Sequence, residues 1–591
     1  MKESGKKQPR QLKPISTAKA VVIYVVCAAL IVGMLVGNYF ADTYRELITV
    51  YLSGSGTVTT AESEALCLEI EEEGMVLLQN KDGALPLKSG AAVSVFGQDS
   101  VDFVYGGAGS GSVDTSKAAN LKQALEKSGF QVNPALWDFY LTGPGKDYRK
   151  SVPDETGKGD FAVNEVPAGV YTQSVKDSFA QYGDAAIVCI GRSGGESSDI
   201  PTQPLASGYR YLELDKDELD LLSMACERFD TVVLVLNSNN TLELGFLDDP
   251  AYANVKACLW CGGVGQEGIY AIGKALAGEV NPSGRLVDTY AYDSLSAPSA
   301  ANLGDYSITN STVTNGGKYL VYAEGIYVGY RYYETRYEDA VLGQGNAGDY
   351  DYSTTVQFPF GHGLSYTRFD WSDYQVKEGE DGFEVSVTVT NAGDRAGKDV
   401  VQVYMQSPYT DYDRTNGVEK SAVELVGFAK TALLEPDKSE TVTVTVPKEV
   451  MKTYDANGAG TYILDAGDYY FAAGCDVHDG LNNILAAKGY SAKDGMDADG
   501  DASMAWKTTV DAQDSTTYAV SMATGKAVSN QFQDTDIRYY DGDFRYLSRS
   551  DWAGTWPETY QGGSWQAPGT LLKDLEWKRG VDVVGTGSEA M

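Results

Sequence analysis

Glu196 closes the stretch DAAIVCIGRSGGE, residues 184–196, and its setting suits acid–base chemistry. Ala185 to Ile190 is a short apolar run flanked by Asp184 and Gly191, the pattern of a buried strand. The run breaks at Gly191, Gly194 and Gly195, which puts Glu196 on a loop beyond the strand. In an α/β sheet, ligands gather at the carboxyl ends of the strands, so a carboxylate there is well placed to move a proton. Asp199, three residues on, can hold the loop as an Asx turn or contact a ligand. A glutamate that ends a strand is as readily a solvated loop residue, so the reading depends on the elements around it.

Those elements alternate. Glu62 to Gly74 has a helical pattern, AAVSVFG reads as a strand ending at Gly97, and Lys117 to Ser128 reads as a helix. The strand over 184–191 is followed by a helix near Asp215 to Arg228 and by TVVLVLN, a β-branched strand. VKACLWC gives another strand, Gly268 to Ala277 a helix, and Asn281 to Gly284 a turn. Strands alternating with helices predict a mostly parallel sheet covered on both faces. From about Phe383 the period changes: FEVSVTVTN, KDVVQVYMQ, AVELVGFAK, SETVTVTVP and GDYYFAAG are short alternating runs between Gly, Asn, Asp and Pro turns. That pattern predicts a β-sandwich of immunoglobulin or fibronectin-III type.

A chain of 591 residues exceeds what one core usually supports, so more than one domain is expected. Residues 1–19 form a basic segment, with Lys2, Lys6, Lys7, Arg10, Lys13 and Lys19 against Glu3. Ala20 to Phe40 is apolar and uncharged, long enough to cross a bilayer. The positive flank predicts an uncleaved signal anchor with the N-terminus cytoplasmic and the bulk outside the cell membrane. The formal charge of −35 argues against nucleic-acid binding and fits a neutral substrate such as a sugar. Seven scattered cysteines make no disulfide framework. Cys258 and Cys261 form a lone CxxC, and with two histidines in the chain the expectation is core packing rather than zinc. DGMDADGD (Asp494 to Asp501) imitates a calcium loop through Asp497, Asp499 and Asp501, but its Gly is one place early and Thr508 stands at position 12, so an acidic turn is expected. Beyond Gln531 the aromatic content predicts a packed extension.

Several motifs in order resemble glycoside hydrolase family 3, of β-glucosidase and β-xylosidase type: EGMVLLQNKDGALPL, VSVFG, GGAGSGSV, GQEGIYAIGKALAGEVNPSGRL, EGIYVGYRYYET and FPFGHGLSYTRF. The resemblance implies an α/β sandwich domain of the family's C-terminal type over residues 62–370 and a fibronectin type III-like domain over 373–490. Residues 491–591 are then an extension or linker. In several members the acid/base glutamate lies in a loop reading roughly S-G-E-G. Here the matching stretch is Ser193-Gly194-Gly195-Glu196-Ser197, with an extra Gly before Glu196 and Ser after it, and the resemblance carries the role to Glu196. The family's nucleophile is an aspartate on a separate (β/α)8 barrel, usually before the α/β domain. Here the anchor precedes that domain, and the hundred or so residues after the sandwich are too few for a barrel of about 250. The lysine–histidine pair of that barrel is also missing, since the two histidines are His362 and His478.

Ser550-Asp551-Trp552 spells the usual nucleophile motif, but it follows no apolar strand, so Asp551 is not expected to serve. The resemblance therefore implies β-glucosidase-like hydrolysis with retention, Glu196 as acid/base, a carbohydrate substrate, no cofactor, and a nucleophile from a longer polypeptide or a separate barrel-bearing chain. The alternative expectation is a catalytically incomplete, membrane-tethered carbohydrate-binding or scaffold protein whose Tyr322 to Tyr337 segment stacks on sugars. Packing between domains explains those tyrosines more simply. A nucleotide site at Gly106 to Val113 is a distant third reading, because its glycines miss the dinucleotide spacing.

Overall fold

The computed structural model describes residues 16–43, 61–107, 111–150, 161–196, 200–201, 203–302, 306–311, 318–533, 536–539, 542–557 and 564–575. The chain divides into two units, Met1–Glu64 and Ala65–Met591. The first contains a helix, Thr17–Thr43. Its stretch Thr17–Val36 has a mean hydropathy of 2.6, long and apolar enough for a membrane span or a signal sequence.

The second unit begins its core with a six-stranded sheet: β1 (Val76–Asn80), β2 (Ala92–Phe96), β3 (Gln131–Val132), β4 (Ala185–Arg192), β5 (Val232–Ser238) and β6 (Val255–Trp260). The strand order is β1-β6-β5-β4-β2-β3. All pairs are parallel except β1–β6. The expected mostly parallel sheet is thus a mixed one, with an antiparallel strand at one edge, a common way to finish a parallel sheet. Every residue of β4 and β5 is buried, which is why both read as continuous apolar runs rather than alternating ones. One face packs on Leu121, Leu125, Ile272 and Leu276, the other on Leu136, Phe139, Leu221 and Leu222. The helix expected over 117–128 is shorter, Leu121–Lys127. Asn120 caps it by accepting from Gln123 N at 2.9 Å while Gln123 reaches back to Asn120 N, which fixes the start four residues late. Asp215 and Glu218 make the same reciprocal cap on the helix Lys216–Arg228.

Beside a short pair of Thr453–Asp455 with Thr461–Ile463, the all-β part is built on two larger antiparallel sheets. One joins Phe369–Glu378, Gly382–Asn391 and Ser439–Pro447; the other joins Glu424–Lys430, Val400–Gln406, Gly467–Gly474 and Ala505–Val510. Phe383, Val385, Val387 and Val389 point inward at period two and share a core with Val403, Met405 and Phe471. A helix, Tyr330–Val341, packs against this region through the helix Val477–Ala487.

The aromatic segment after Gln531 returns to the α/β part. Arg549 is buried with Glu338 at 2.9 Å and Asp339 at 2.5 Å, and Trp552, fully buried, donates its indole N–H to Asp339 at 2.8 Å. Ser564–Trp565 then pairs in parallel with the strand Tyr306–Ile308.

Candidate active site

The strand order changes direction between β2 and β4. The chain passes from β2 outward to β3, then crosses back over β2 to lay down β4, β5 and β6. A crevice opens at such a switch point, outside the carboxyl ends of the two strands. β2 is followed by Gly97, which has φ of +97°, and an added Cβ there would collide with the carbonyl of Cys189 on β4. The turn therefore needs glycine, and it delivers Gln98, Asp99 and Ser100 to the crevice.

Asp99 Oδ2 accepts from Gly191 N at 2.7 Å, tying the ends of β2 and β4 together. Its other oxygen pairs with Lys150, whose ammonium also donates to Gly191 O at 3.3 Å. Burial disfavours that ammonium, but the Asp99 carboxylate outweighs it and holds the Lys150 pKa above its ordinary value. Behind this pair, Arg192 is wholly buried. It meets Glu218 through two bonds, at 2.7 and 2.8 Å, and donates to the carbonyls of Tyr211 at 2.6 Å and Glu213 at 2.8 Å. Tyr211 in turn brackets Ser193, its hydroxyl bonded to both Ser193 N and Ser193 O at 3.0 Å. The loop leaving β4 is thus rigid up to Ser193.

Glu196 follows three residues later, exposed to solvent. The loop that carries Glu196 and the glycine loop approach closely: a Cβ on Gly107 would sit 3.2 Å from Gly194 O. Asn237, at the end of β5, holds the other wall by bonding Val104 N at 2.5 Å, Val104 O at 2.9 Å and Gly262 O at 2.5 Å. Between these walls lies a cleft of about 350 Å³ lined by Asp99, Asp102, Tyr105, Arg149, Lys150 and Ser193, among others. Asp199 lies outside the described residues, as do residues 108–110 of the glycine loop.

Sequence reasoning missed Asp99, Lys150, Arg192 and Glu165. Glu165 accepts from Gln98 N at 2.8 Å and Val166 N at 2.7 Å, and burial pushes its carboxyl up to about 8. The one signal in the sequence was the Gly-Gln-Asp that directly follows the apolar run of β2; the partners on residues 149–218 leave no local trace.

Other candidates fall into structural roles. Asp551 caps the short helix Trp552–Thr555, accepting from Asn346 Nδ2 at 2.8 Å and Gly554 N at 3.1 Å. Cys258, on β6, and Cys261, directly after it, are both buried. In the acidic turn, Asp497 bonds His478 at 2.9 Å, Asp499 accepts from Ala492 N at 2.9 Å, and Asp501 caps Ser503 N at 2.9 Å. Among the described residues no group of three or more His, Cys, Asp or Glu side chains could hold a metal ion. Tyr327, Tyr332, Tyr333 and Tyr337 are core residues, while Tyr322 is exposed.

Residues 75–330 match the glycosyl hydrolase family 3 C-terminal domain. The chain carries a family 3 C-terminal domain. Residues 399–477 match the fibronectin type III-like domain. A β-glucosidase from Ruminococcus albus is 33% identical to this family 3 chain over 418 residues, 69% of the chain and 39% of that relative. The crystal structure of a β-glucosidase from Paenibacillus barengoltzii aligns with a TM-score of 0.58 at 32% identity, covering 71% of this chain and 42% of that one. β-Glucosidase 3B from Thermotoga neapolitana, solved in complex with α-D-glucose, aligns with a TM-score of 0.59 at 25% identity, covering 77% and 55%. The chain thus spans from about two fifths to just over half of the length of these relatives.

Proposed function

We propose that this chain acts in the hydrolysis of β-glucosides with retention of configuration, Glu196 serving as acid/base and a barrel domain outside the matched regions supplying the nucleophile. The observation that carries the reading is the place of Glu196. It stands on the loop after β4, three residues beyond Ser193, which lines the cleft, and follows a strand end locked by Arg192 and Glu218. Retaining hydrolysis needs two carboxyl groups about 5–5.5 Å apart, one attacking the sugar while the other first gives and later takes a proton. An acid/base keeps its proton near neutral pH through burial or a neighbouring carboxylate. Glu196 is exposed, so the surface that closes over its loop would supply both. Asp199 would contact sugar or hold the loop. The N-terminal helix would anchor the protein in the cell membrane, with the bulk outside.

The deciding experiment is turnover of aryl β-glucosides and β-xylosides by the full chain and by Glu196→Ala, each alone and with a barrel-bearing family 3 protein of the same cell. Turnover that needs the second protein and is lost in Glu196→Ala supports the reading. Turnover that survives Glu196→Ala refutes the assignment. The second reading, a carbohydrate-binding or scaffold protein, rests on the same polar cleft, and binding without turnover in any combination would favour it. Tyr327, Tyr332, Tyr333 and Tyr337 lend it nothing, being buried.

A further inference from the structure

We infer that the all-β part carries an internal amide bond between Lys420 Nζ and the side-chain carboxyl of Asp465, formed after folding with Asp413 moving the protons. The bond does not depend on the role of Glu196.

The sheet order brings the three residues together. Glu424–Lys430 and Gly467–Gly474 each pair antiparallel with Val400–Gln406, one on either side, so they run in the same direction and begin at the same end. Lys420 lies four residues before the first strand and Asp465 two residues before the second. The chain leaving Gln406 turns at that end into the short helix Asp411–Asn416, which supplies Asp413. All three side chains are inside the protein: Lys420 is 4% exposed, Asp465 1% and Asp413 0%.

Their charges do not balance as a simple ion pair. Lys420 Nζ pairs with Asp465, lies 3.0 Å from Asp413 Oδ2 and donates to Pro408 O at 2.9 Å. Two carboxylates around one ammonium leave a negative charge unmatched, which is costly away from water. One proton on the carboxyl pair removes it. Asp465 takes that proton: burial pushes its carboxyl above its ordinary range against the pull of Lys420, and Asp413 beside it adds to the push. Asp413 is the ionised partner, because its Oδ2 accepts from Thr410 N at 2.6 Å and Thr410 Oγ1 at 2.8 Å. Its Oδ1 is buried with no hydrogen-bond partner among the described residues, so the site is one donor short. A carboxylic acid next to it supplies that donor.

An amine, a protonated carboxyl and a carboxylate in contact are the reactants and the proton carrier of an amide condensation. Lys420 gives a proton to Asp413, which exchanges a buried ion pair for two neutral groups. The freed amine adds to Cγ of Asp465. The Asp465 hydroxyl then leaves as water, taking a proton that Asp413 relays from the nitrogen. One Nζ–Cγ bond forms, one Cγ–O bond breaks and one water is released, with no oxidant, reductant or cofactor. Tyr469, fully buried, holds the acceptor, its hydroxyl accepting from Asp465 N at 2.9 Å. The bond joins residues 45 positions apart and ties two strands across Val400–Gln406, so it restricts the unfolded chain as other cross-links do.

Peptide mapping of the purified full chain after denaturation tests this, because an ion pair separates in denaturant and an amide does not. Trypsin does not cut after an acylated lysine. The bond therefore predicts a branched product joining residues 415–430 to residues 453–488, about 18 Da lighter than the two peptides together. Lys420→Arg keeps the charge and should lack the branch. Asp413→Asn should slow its formation by about 10²–10⁴-fold, so that fresh protein holds little of it. Cleavage after Lys420 in the wild type, with both peptides at full mass, would overturn the inference. A branch joining Lys420 to Asp413 instead, or one formed at the parental rate in Asp413→Asn, would also overturn it. The wild-type map alone decides whether the bond exists, so a variant that fails to fold does not blunt the test.

Discussion

Replacing His478 with Gln should destabilise the junction between the α/β and all-β parts in a way that depends on pH. The imidazole lies between two carboxylates: Nδ1 is 2.8 Å from Glu334 Oε2, and Nε2 is 2.9 Å from both oxygens of Asp497. Tyr352 stacks on the ring at 3.8 Å and 12° and gives its hydroxyl to Glu334 at 2.5 Å. Tyr337 gives its hydroxyl to Asp497 at 2.9 Å. Burial alone would push the imidazolium down, but Glu334 and Asp497 outweigh it and raise the pKa to about 10. The folded value therefore lies above the unfolded one of about 6.5, so the contribution is complete below pH 6.5 and is lost as pH rises toward 10. At about 1.4 kcal/mol per unit, the three to four units set an upper bound of roughly 5 kcal/mol. Both tyrosines are pushed well above their ordinary range by burial and stay neutral over this window.

Asp497 is held down to about 2 by the same contact, against the upward push of burial; its share persists above the unfolded value of about 3.9 and fades as pH falls through 2. The assay is urea unfolding of both proteins at pH 6, 8 and 10. The gap between wild type and His478→Gln should be a few kcal/mol at pH 6 and should shrink toward pH 10. A gap of constant size across that range would refute the ionic account.

Three further outcomes are expected. Glu218→Ala leaves the Arg192 guanidinium buried without its counterion and should cost about 3–5 kcal/mol, seen as a lower urea midpoint. Trp552→Ala empties a fully buried socket and should cost about 3–5 kcal/mol locally, so that limited proteolysis cuts near residues 545–556 before the rest of the unit. Asp551→Asn should keep glycoside hydrolysis in the working assembly unchanged and alter stability by no more than about 1 kcal/mol; a large loss of rate would restore Asp551 as a nucleophile candidate.

The parts of this protein that were legible in its sequence are those fixed by local pattern. β4 and β5 read as uninterrupted apolar runs because both faces of the sheet are covered, and Gly382–Asn391 reads at period two because one face is wet. The antiparallel edge was not legible: β1 is apolar like its neighbours, and its direction is set by pairing with β6 some 180 residues away. The same distance hid the support of the site. Arg192 and Glu218 are 26 positions apart, and at the junction with the all-β part His478 and Glu334 are 144 apart, so each pair shows in the sequence only as isolated charges. The tyrosines of 330–337 were legible as packing residues: so dense a run of aromatics reads most simply as an interface, and the helix Tyr330–Val341 turns Tyr332, Tyr333 and Tyr337 into a core shared with Trp552.

The acid/base role of Glu196 is tested most directly by the leaving-group dependence of Glu196→Gln in the hydrolytically competent assembly. Protonation matters most for a poor leaving group and least for a good one. The account predicts that hydrolysis of an alkyl β-glucoside falls by about 10²–10⁴-fold while dinitrophenyl β-glucoside is cleaved at close to the wild-type initial rate. Equal losses on both substrates, or no loss on either, would contradict it.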